Sequence, residues 1–283
     1  MVLESFASPF SAENSPKRIF FLGVVYYSVA LFLSLWIFKQ HASLISVFFT
    51  VTAAIPLMYN TLKYEEQKDI ELGDETQILK QHSKALYFFM MLFFGITLAA
   101  SVWYVVLPSG LAQSVFSVQT DTINQINTAV QGHAVGNYRT FTVVFFNNVK
   151  VLTFSMLFSF LYGAGAIFIL TWNATVIGAA MGNVMRLGLA DMAHKIGLEK
   201  VTGYFHVFSF AVLRYAVHGI PEILAYFVGA LAGGIISVAV INHDFGTKRF
   251  EKIVLDTSDL LIISLLLLLV AAVLEVWVTP ILY

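Results

Sequence analysis

Long apolar runs with almost no charge constrain the fold of this chain more than any other feature. Each is about 20 residues long, enough for a helix to cross a hydrocarbon core of about 30 Å, and the clearest are 19–38, 44–62, 85–107, 223–242 and 260–279. Charged residues make up only 12% of the 283 residues, about half the share of a soluble domain. The sequence therefore predicts an all-α, polytopic integral membrane helix bundle.

One transmembrane domain is expected over 19–283, after a polar N-terminal tail at 1–18. The segment 63–84 carries four lysines and six acids and is predicted to be a charged cytoplasmic loop with a helix over 74–84; a docking surface is the minority interpretation. The segment 108–140 is predicted to be external and polar. It could form an amphipathic helix that lies on the membrane or caps the bundle, or an ordinary structured loop.

The number of crossings depends on the region between residues 141 and 242. We expect one span over 141–172, a short re-entrant or packed helix over 173–189, and a short crossing over 204–219 that ends at the Gly219–Pro221 break. This gives about seven crossings, or six in the alternative, with a broken or re-entrant helical region. Lysine and arginine concentrate at 17–18, 63–84 and 248–252, so the N-terminus is expected in the cytoplasm, 108–140 outside and Arg186 inside.

Small residues recur at helical spacing and predict close helix packing. A GxxxG pair and a run with a small residue at every fourth position let two backbones approach each other. The predicted packing positions are Gly178, Gly182, Ala225, Gly229, Gly233 and Ser237.

Two acidic residues flank the last pair of apolar runs. Glu222 lies about 20 residues before the loop that joins these runs and Glu275 about 17 after it, so antiparallel packing predicts that both lie at the same external level. Each shares a helix face with small residues, which usually face other helices. The predicted polar intramembrane cluster is Asn147, Asn148, Lys150, Arg214, His218, Glu222 and Glu275.

Ionisable groups in a bilayer are costly and need partners, so Arg214 or Lys150 is expected to pair with one of the two carboxylates. Purely structural roles are the alternative for each residue. Pro221 and Glu222 suit the first turn of a helix, Glu275 could reach water at its helix end, and His218 could bond to a carbonyl.

Several classes of function find no support in the sequence. The net charge of −1 suggests no nucleic-acid partner, and the lack of cysteine removes thiolate nucleophiles and cysteine-bound metals. We find no HExxH, no glycine-rich phosphate loop and no GxSxG. No catalytic residue, metal or cofactor is predicted, and a non-enzymatic protein is expected; a divalent-ion site and a membrane-embedded enzyme are weaker alternatives.

Four blocks resemble the stage II sporulation protein M family in order and spacing: FFNNVKV (145–151), GAGAIFILTWNATVIGAAMG (163–182), HGIPEILAYFVGALAGG (218–234) and AAVLEVWVTP (271–280). The resemblance covers about 85–283, with 141–283 as the family core. It implies Asn148, Asn173, His218, Glu222 and Glu275 as positions to test. Ala174 follows Asn173 where many members have glycine, which is typical of an archaeal-type member.

In endospore formers the resemblance implies a membrane scaffold that recruits or anchors cell-wall hydrolases. The leading expectation is therefore a multi-pass scaffold or envelope-remodelling protein of the cell membrane, with 63–84 and 108–140 as docking surfaces. Expected partners are the lipid bilayer, membrane or envelope proteins, and a second copy of the chain. The alternative is a channel or secondary transporter for an ion or small solute that uses the site around Glu222 and Glu275.

Overall fold

The computed structural model describes residues 16–71, 75–131, 137–162, 166–194, 198–241 and 246–282. The helices are α1 (Pro16–Ile37), α2 (Ala42–Glu71), α3 (Glu75–Val106), α4 (Ser109–Val115), α5 (Ser117–Gln131), α6 (Asn137–Tyr162), α7 (Ala166–Asp191), α8 (Leu198–Ile241), α9 (Lys248–Val273) and α10 (Thr279–Leu282). Short 3₁₀ turns at Lys39–His41 and Met192–His194 and a π-helical turn at Leu274–Val278 complete them. The described ranges contain no strand. Most of the predicted tail, residues 1–15, lies outside them.

Seven of these helices are long and apolar enough to cross a membrane: α1, α2, α3, α6, α7, α8 and α9. The prediction of an all-α, polytopic membrane bundle is confirmed. The second half of α8 lies at its centre, because 82% of the most apolar 18-residue window of this helix is buried against protein, compared with 22% for the window of α6 and 28% for that of α9. The two peripheral helices therefore leave most of their apolar surface to lipid.

Helix α7 corrects the prediction that 141–172 is one span and that 173–189 is re-entrant. The chain instead forms α6, which ends at Tyr162, and then α7, which runs without interruption for 26 residues from Ala166, or about 39 Å. Asn173 does not interrupt α7 because its Nδ2 donates a hydrogen bond of 2.8 Å to the Ile169 carbonyl one turn earlier. A polar side chain that is satisfied within its own helix can lie inside a full-length span.

Helix α8 corrects the prediction of a break at Gly219–Pro221. It runs for 44 residues with Pro221 inside it, so 204–219 is not a separate crossing and no external turn precedes Glu222. Proline is tolerated inside membrane helices when neighbouring helices and side chains support the freed backbone, and α8 packs on α6, α7 and α9. The number of expected membrane crossings is still seven, because α7 takes the place of the crossing that was expected at 204–219.

The course of α7 also corrects the expected side of Arg186. Its guanidinium donates to the carbonyls of Tyr104 and Leu107, at 3.1 and 3.2 Å, and to the Ser109 hydroxyl at 2.9 Å. These acceptors lie where α3 ends and α4 begins. Since α7 makes a full crossing, Arg186 lies on the same side of the membrane as 108–131, opposite the 63–84 segment.

The charged segment 63–84 is helical on both sides of residues 72–74. In the sequence the apolar run of α2 ends before Lys63 and that of α3 begins after Lys84, yet the helices continue to Glu71 and start at Glu75. Each continues about ten residues beyond its span, or about 15 Å. We call residues 62–71 and 75–85 together the charged extension.

Candidate functional site

The small residues of α8 form the surface on which α6 and α9 pack. Ala225, Gly229, Gly233 and Ser237 are all buried. A Cβ atom on Gly233 would overlap the backbone carbonyl of Met156 in α6, and one on Gly229 would overlap the Leu152 side chain. The residue numbers rise together along the two helices, so α6 and α8 run parallel.

The GxxxG pair of α7 packs in the same way against α3. A Cβ on Gly178 would lie 2.6 Å from the Ala100 Cβ and 2.8 Å from the Thr97 carbonyl oxygen, and one on Gly182 would lie 2.6 Å from the Tyr104 Cβ. The glycines are therefore needed for the observed helix separation. Helices α1 and α3 cross equally closely at Gly23 and Gly95, a pair that the sequence analysis missed because the two lie on separate helices.

The structure brings Glu222 and Glu275 together between α8 and the π-helical turn. Helices α8 and α9 are antiparallel, since Gly229 faces Ser264 and His218 meets Thr279. The two carboxyls are close enough for their charges to interact. Glu222 also accepts a hydrogen bond of 2.7 Å from the hydroxyl of Tyr226, a fully buried side chain one turn further along α8.

The position of Glu222 differs from the expected one. It lies near the middle of the 44-residue α8, not at the external head of a helix, so the first-turn interpretation of Pro221 and Glu222 is wrong. Glu275 lies within the π-helical turn close to the end of its helix.

His218 links α8 to the segment that follows Glu275. The Thr279 hydroxyl donates to the Leu274 carbonyl at 3.0 Å, and its oxygen lies 3.3 Å from Nδ1 of His218. Which of the two side chains donates in this contact depends on the tautomer of the imidazole.

Two backbone irregularities flank the carboxyl pair. Pro221 has no N–H, so the Val217 carbonyl lacks its usual helical donor. On the facing segment, the N–H of Thr279 bonds to the Leu274 carbonyl, which is one residue further back than in an α-helix. Single π-helical turns are frequent at functional sites, and this one carries Glu275.

The other predicted members of the cluster separate into two groups. Asn148 is 5% exposed and its Nδ2 is buried without a hydrogen-bond partner. Asn147, Lys150 and Arg214 have exposed side chains, and the Arg214 guanidinium lies over the Phe210 ring, 5.9 Å from its centroid. Neither expected cation pairs with a carboxylate.

A buried polar side chain that joins three helices was not predicted. Gln119 in α5 is fully buried; its Oε1 accepts from the Ser43 hydroxyl at 2.7 Å and its Nε2 donates to the Thr175 hydroxyl at 3.3 Å. It therefore ties the start of α5 to α2 and α7, so this part of 108–140 is buried in the bundle instead of lying on the membrane. The sequence gives no signal for it, because Gln119 is one of many polar residues in that segment.

The chain was also compared with known proteins. A family model described as Stage II sporulation protein M matches residues 47–280. The chain belongs to this family. The match includes the charged extension and the carboxyl pair. It also includes six of the seven apolar helices, of which α2 is matched only from residue 47. The resemblance expected from the sequence is therefore confirmed. No curated protein and no solved structure matches this member of the stage II sporulation protein M family.

In its described residues, no group of three or more His, Asp or Glu side chains is placed to hold a metal ion.

Proposed function

We propose that this multi-pass membrane protein is a non-enzymatic scaffold or envelope-remodelling protein of the cell membrane, and that it recruits its partners through the charged extension. The observation that carries the proposal is the continuation of α2 and α3 beyond their apolar parts. Two charged helical rods that leave the bilayer have no role in spanning it. They supply a surface for another protein.

The composition of the charged extension suits a protein partner. The segment 63–84 carries four lysines and six acids, and charges of both signs fix the register of an interface and exclude wrong partners. A helical rod is also ordered before it binds, so less conformational entropy is lost on association than for a flexible loop.

The interior of the bundle favours a scaffold over a channel. Three of its polar side chains form bonds between helices: Ser159 donates to the Ala230 carbonyl at 2.6 Å, Gln119 bridges α2 and α7, and Arg186 binds the end of α3. Together with the close contacts at the glycines, these bonds hold the helices in one arrangement, as a platform for other proteins requires.

The proposal can be tested by crosslinking in native membranes. In one variant the ten charged residues of 63–84 are replaced by asparagine and glutamine; in a matched control, Lys248, Glu251 and Lys252 at the start of α9 are neutralised. We expect quantitative mass spectrometry to find envelope proteins crosslinked to the wild type and to the control but lost from the extension variant. Identical crosslinked sets in all three proteins, or none in the wild type, would contradict the proposal.

The proposed orientation places the N-terminus and the charged extension in the cytoplasm. Because the chain has no cysteine, single cysteines can be introduced at Ser109, Asp191 and Thr247 and probed on intact cells with an impermeant maleimide. Labelling at 109 and 191 but not at 247 is expected. Labelling at 247 alone would invert the orientation, and different results at 109 and 191 would contradict the course of α7.

A further inference from the structure

The carboxyl pair of Glu222 and Glu275 has no basic partner among the described residues. Glu222 is bonded to Tyr226, and its charge interacts with that of Glu275. The described cations of the neighbouring turns and helices, Arg214, Lys150 and Arg139, are exposed. Two like charges between apolar helices are unfavourable unless something neutralises them. The pair therefore requires a positive charge that the described side chains do not supply.

A second, independent observation is the unpartnered amide of Asn148. The buried residues Val144, Asn148 and Leu152 form one stripe on α6. Val144 packs on Ala272 and Val276, on either side of Glu275, and Leu152 packs on Gly229 of α8. Asn148 lies between them, so its side chain points into the seam between α8 and α9, within a turn of the carboxyls. Its Nδ2 still needs an acceptor oxygen, such as a water bound to an ion.

A third observation is the open space beside Gly219. This residue is buried, yet a Cβ atom built on it would meet no neighbouring atom within 4 Å. Gly219 lies one turn before Glu222 on the same face of α8, and the freed carbonyl of Val217 is on the preceding turn. The backbone of α8 thus has room for a small ligand on the turn before Glu222, whereas at Gly229 and Gly233 the side chains and backbone of α6 leave none.

We propose that Glu222 and Glu275 form a binding site for a monovalent cation, a proton or an alkali metal ion, between α8 and the π-helical turn. The carboxylate oxygens supply the charge, and the Val217 carbonyl that Pro221 frees is a neutral acceptor on the same helix. A divalent ion fits less well, since the described residues bring no third His, Asp or Glu side chain to the pair. The other titratable or charged groups on the helices packed against the pair include His218, Tyr226 and Arg214 on α8 and Tyr138, Arg139 and Lys150 on α6; of these, Arg214, Tyr138, Arg139 and Lys150 are exposed.

The site does not depend on the scaffold function. The charged extension lies on the opposite side of the membrane from the end of α9, and the test variants of the two experiments, in 63–84 and at Glu222 or Glu275, do not overlap. A protein that binds partners without binding a cation, or the reverse, would separate the two proposals.

The test is the thermal unfolding of the purified full chain in lipid nanodiscs. In a first series, which tests alkali metal ions, N-methylglucamine chloride is exchanged for lithium, sodium or potassium chloride at fixed pH and ionic strength. In a second series, which tests the proton, the pH is varied without alkali metal. We expect a saturable rise of a few °C in the unfolding midpoint, as for a ligand that binds only the folded state. A rise with an alkali ion identifies a metal ion, and a rise on acidification alone identifies the proton.

The carboxamide variants Glu222→Gln and Glu275→Gln should each lose the dependence, while Glu251→Gln, an exposed residue at the start of α9, should keep it. If either carboxamide variant does not fold, the wild type is titrated with each chloride salt and with acid instead, and the heat of binding is measured by calorimetry. A midpoint that responds to no cation, a response that persists in both carboxamide variants, or a titration without heat would overturn the proposal.

Discussion

Alanine substitutions at two glycines of α8 test whether close helix contact holds this bundle together. At Gly233 the added Cβ would overlap the backbone carbonyl of Met156, which cannot move unless α6 moves with it. At Gly219, on the same helix, the added Cβ meets open space. Both changes replace glycine by alanine inside one helix, so the gain in helix propensity, about 1 kcal/mol, is the same for both and cancels in the comparison.

The two variants therefore differ in stability only by the cost of overpacking at Gly233. Inserting a methyl group into a well-packed contact costs about 1–3 kcal/mol, and a backbone neighbour places Gly233→Ala towards the upper end of that range. We therefore expect Gly233→Ala to be about 1–3 kcal/mol less stable than Gly219→Ala. For a chain of this size that corresponds to roughly 2–10 °C in the unfolding midpoint.

The measurement is thermal unfolding in detergent, followed by the fluorescence of the four tryptophans. Gly219→Ala serves as the matched control; in N-methylglucamine chloride, where no alkali metal ion can occupy the space beside it, it should unfold at or above the wild-type temperature. Equal midpoints for the two variants would refute the reasoning, because they would mean that α6 does not approach α8 at Gly233 as closely as the structure shows.

Three further predictions concern the polar contacts. Gln119→Leu removes two hydrogen bonds from the buried junction of α2, α5 and α7 and should cost about 1–3 kcal/mol in unfolding free energy, whereas Gln125→Leu at an exposed position should cost little. Arg186→Met leaves carbonyls at the end of α3 without their donor, so the backbone amides there should exchange their hydrogens faster. Arg186→Lys should slow this exchange only in part, because an ammonium group cannot bind two acceptors as the guanidinium does. Tyr226→Phe removes the bond to Glu222 and should lower stability by about 1–3 kcal/mol, and the exposed Tyr59→Phe is its control.

The sequence predicts the membrane spans well because hydrophobicity acts locally. A run of about 20 apolar residues can satisfy its backbone in a bilayer only as a helix, so the spans of α1, α2, α3 and α9 follow directly from their composition. The boundaries between 141 and 242 do not follow in the same way. There the apolar residues continue, and glycine, proline and asparagine had to be interpreted as stops or as interior residues.

The errors at Asn173 and Pro221 have one physical origin. Both residues tend to end helices in water, where asparagine competes for backbone groups and proline removes a donor. In this bundle Asn173 bonds to its own helix, and Pro221 lies in the helix that is most surrounded by protein. Whether such a residue ends a helix is decided by its neighbours in space, which one sequence does not show.

The candidate site was accessible to sequence analysis only in part. Glu222 and Glu275 lie at similar distances along the chain from the loop that joins their two apolar runs. Antiparallel packing of these runs is then enough to predict that the two residues lie near each other. Gln119 and Arg186 act through partners 76 and 82 residues away along the chain. Their contacts depend on how α5 and α7 pack, and no local pattern distinguishes them from other polar residues.

The two halves of α8 differ in a way that bears on function. Towards the end of α8, at Gly229 and Gly233, Leu152 and Met156 of α6 leave no room for a methyl group. Near its middle, Gly219 borders open space, Pro221 frees a carbonyl and the facing segment changes to a π-helical turn. Irregular backbone and unfilled space both lower the stability of a bundle, and here both lie beside two acidic side chains. A bundle that only held its helices together would gain stability from continuous packing along α8. The irregular half, beside the two carboxyls, is where we propose the cation site, and the glycine half packs α8 against α6.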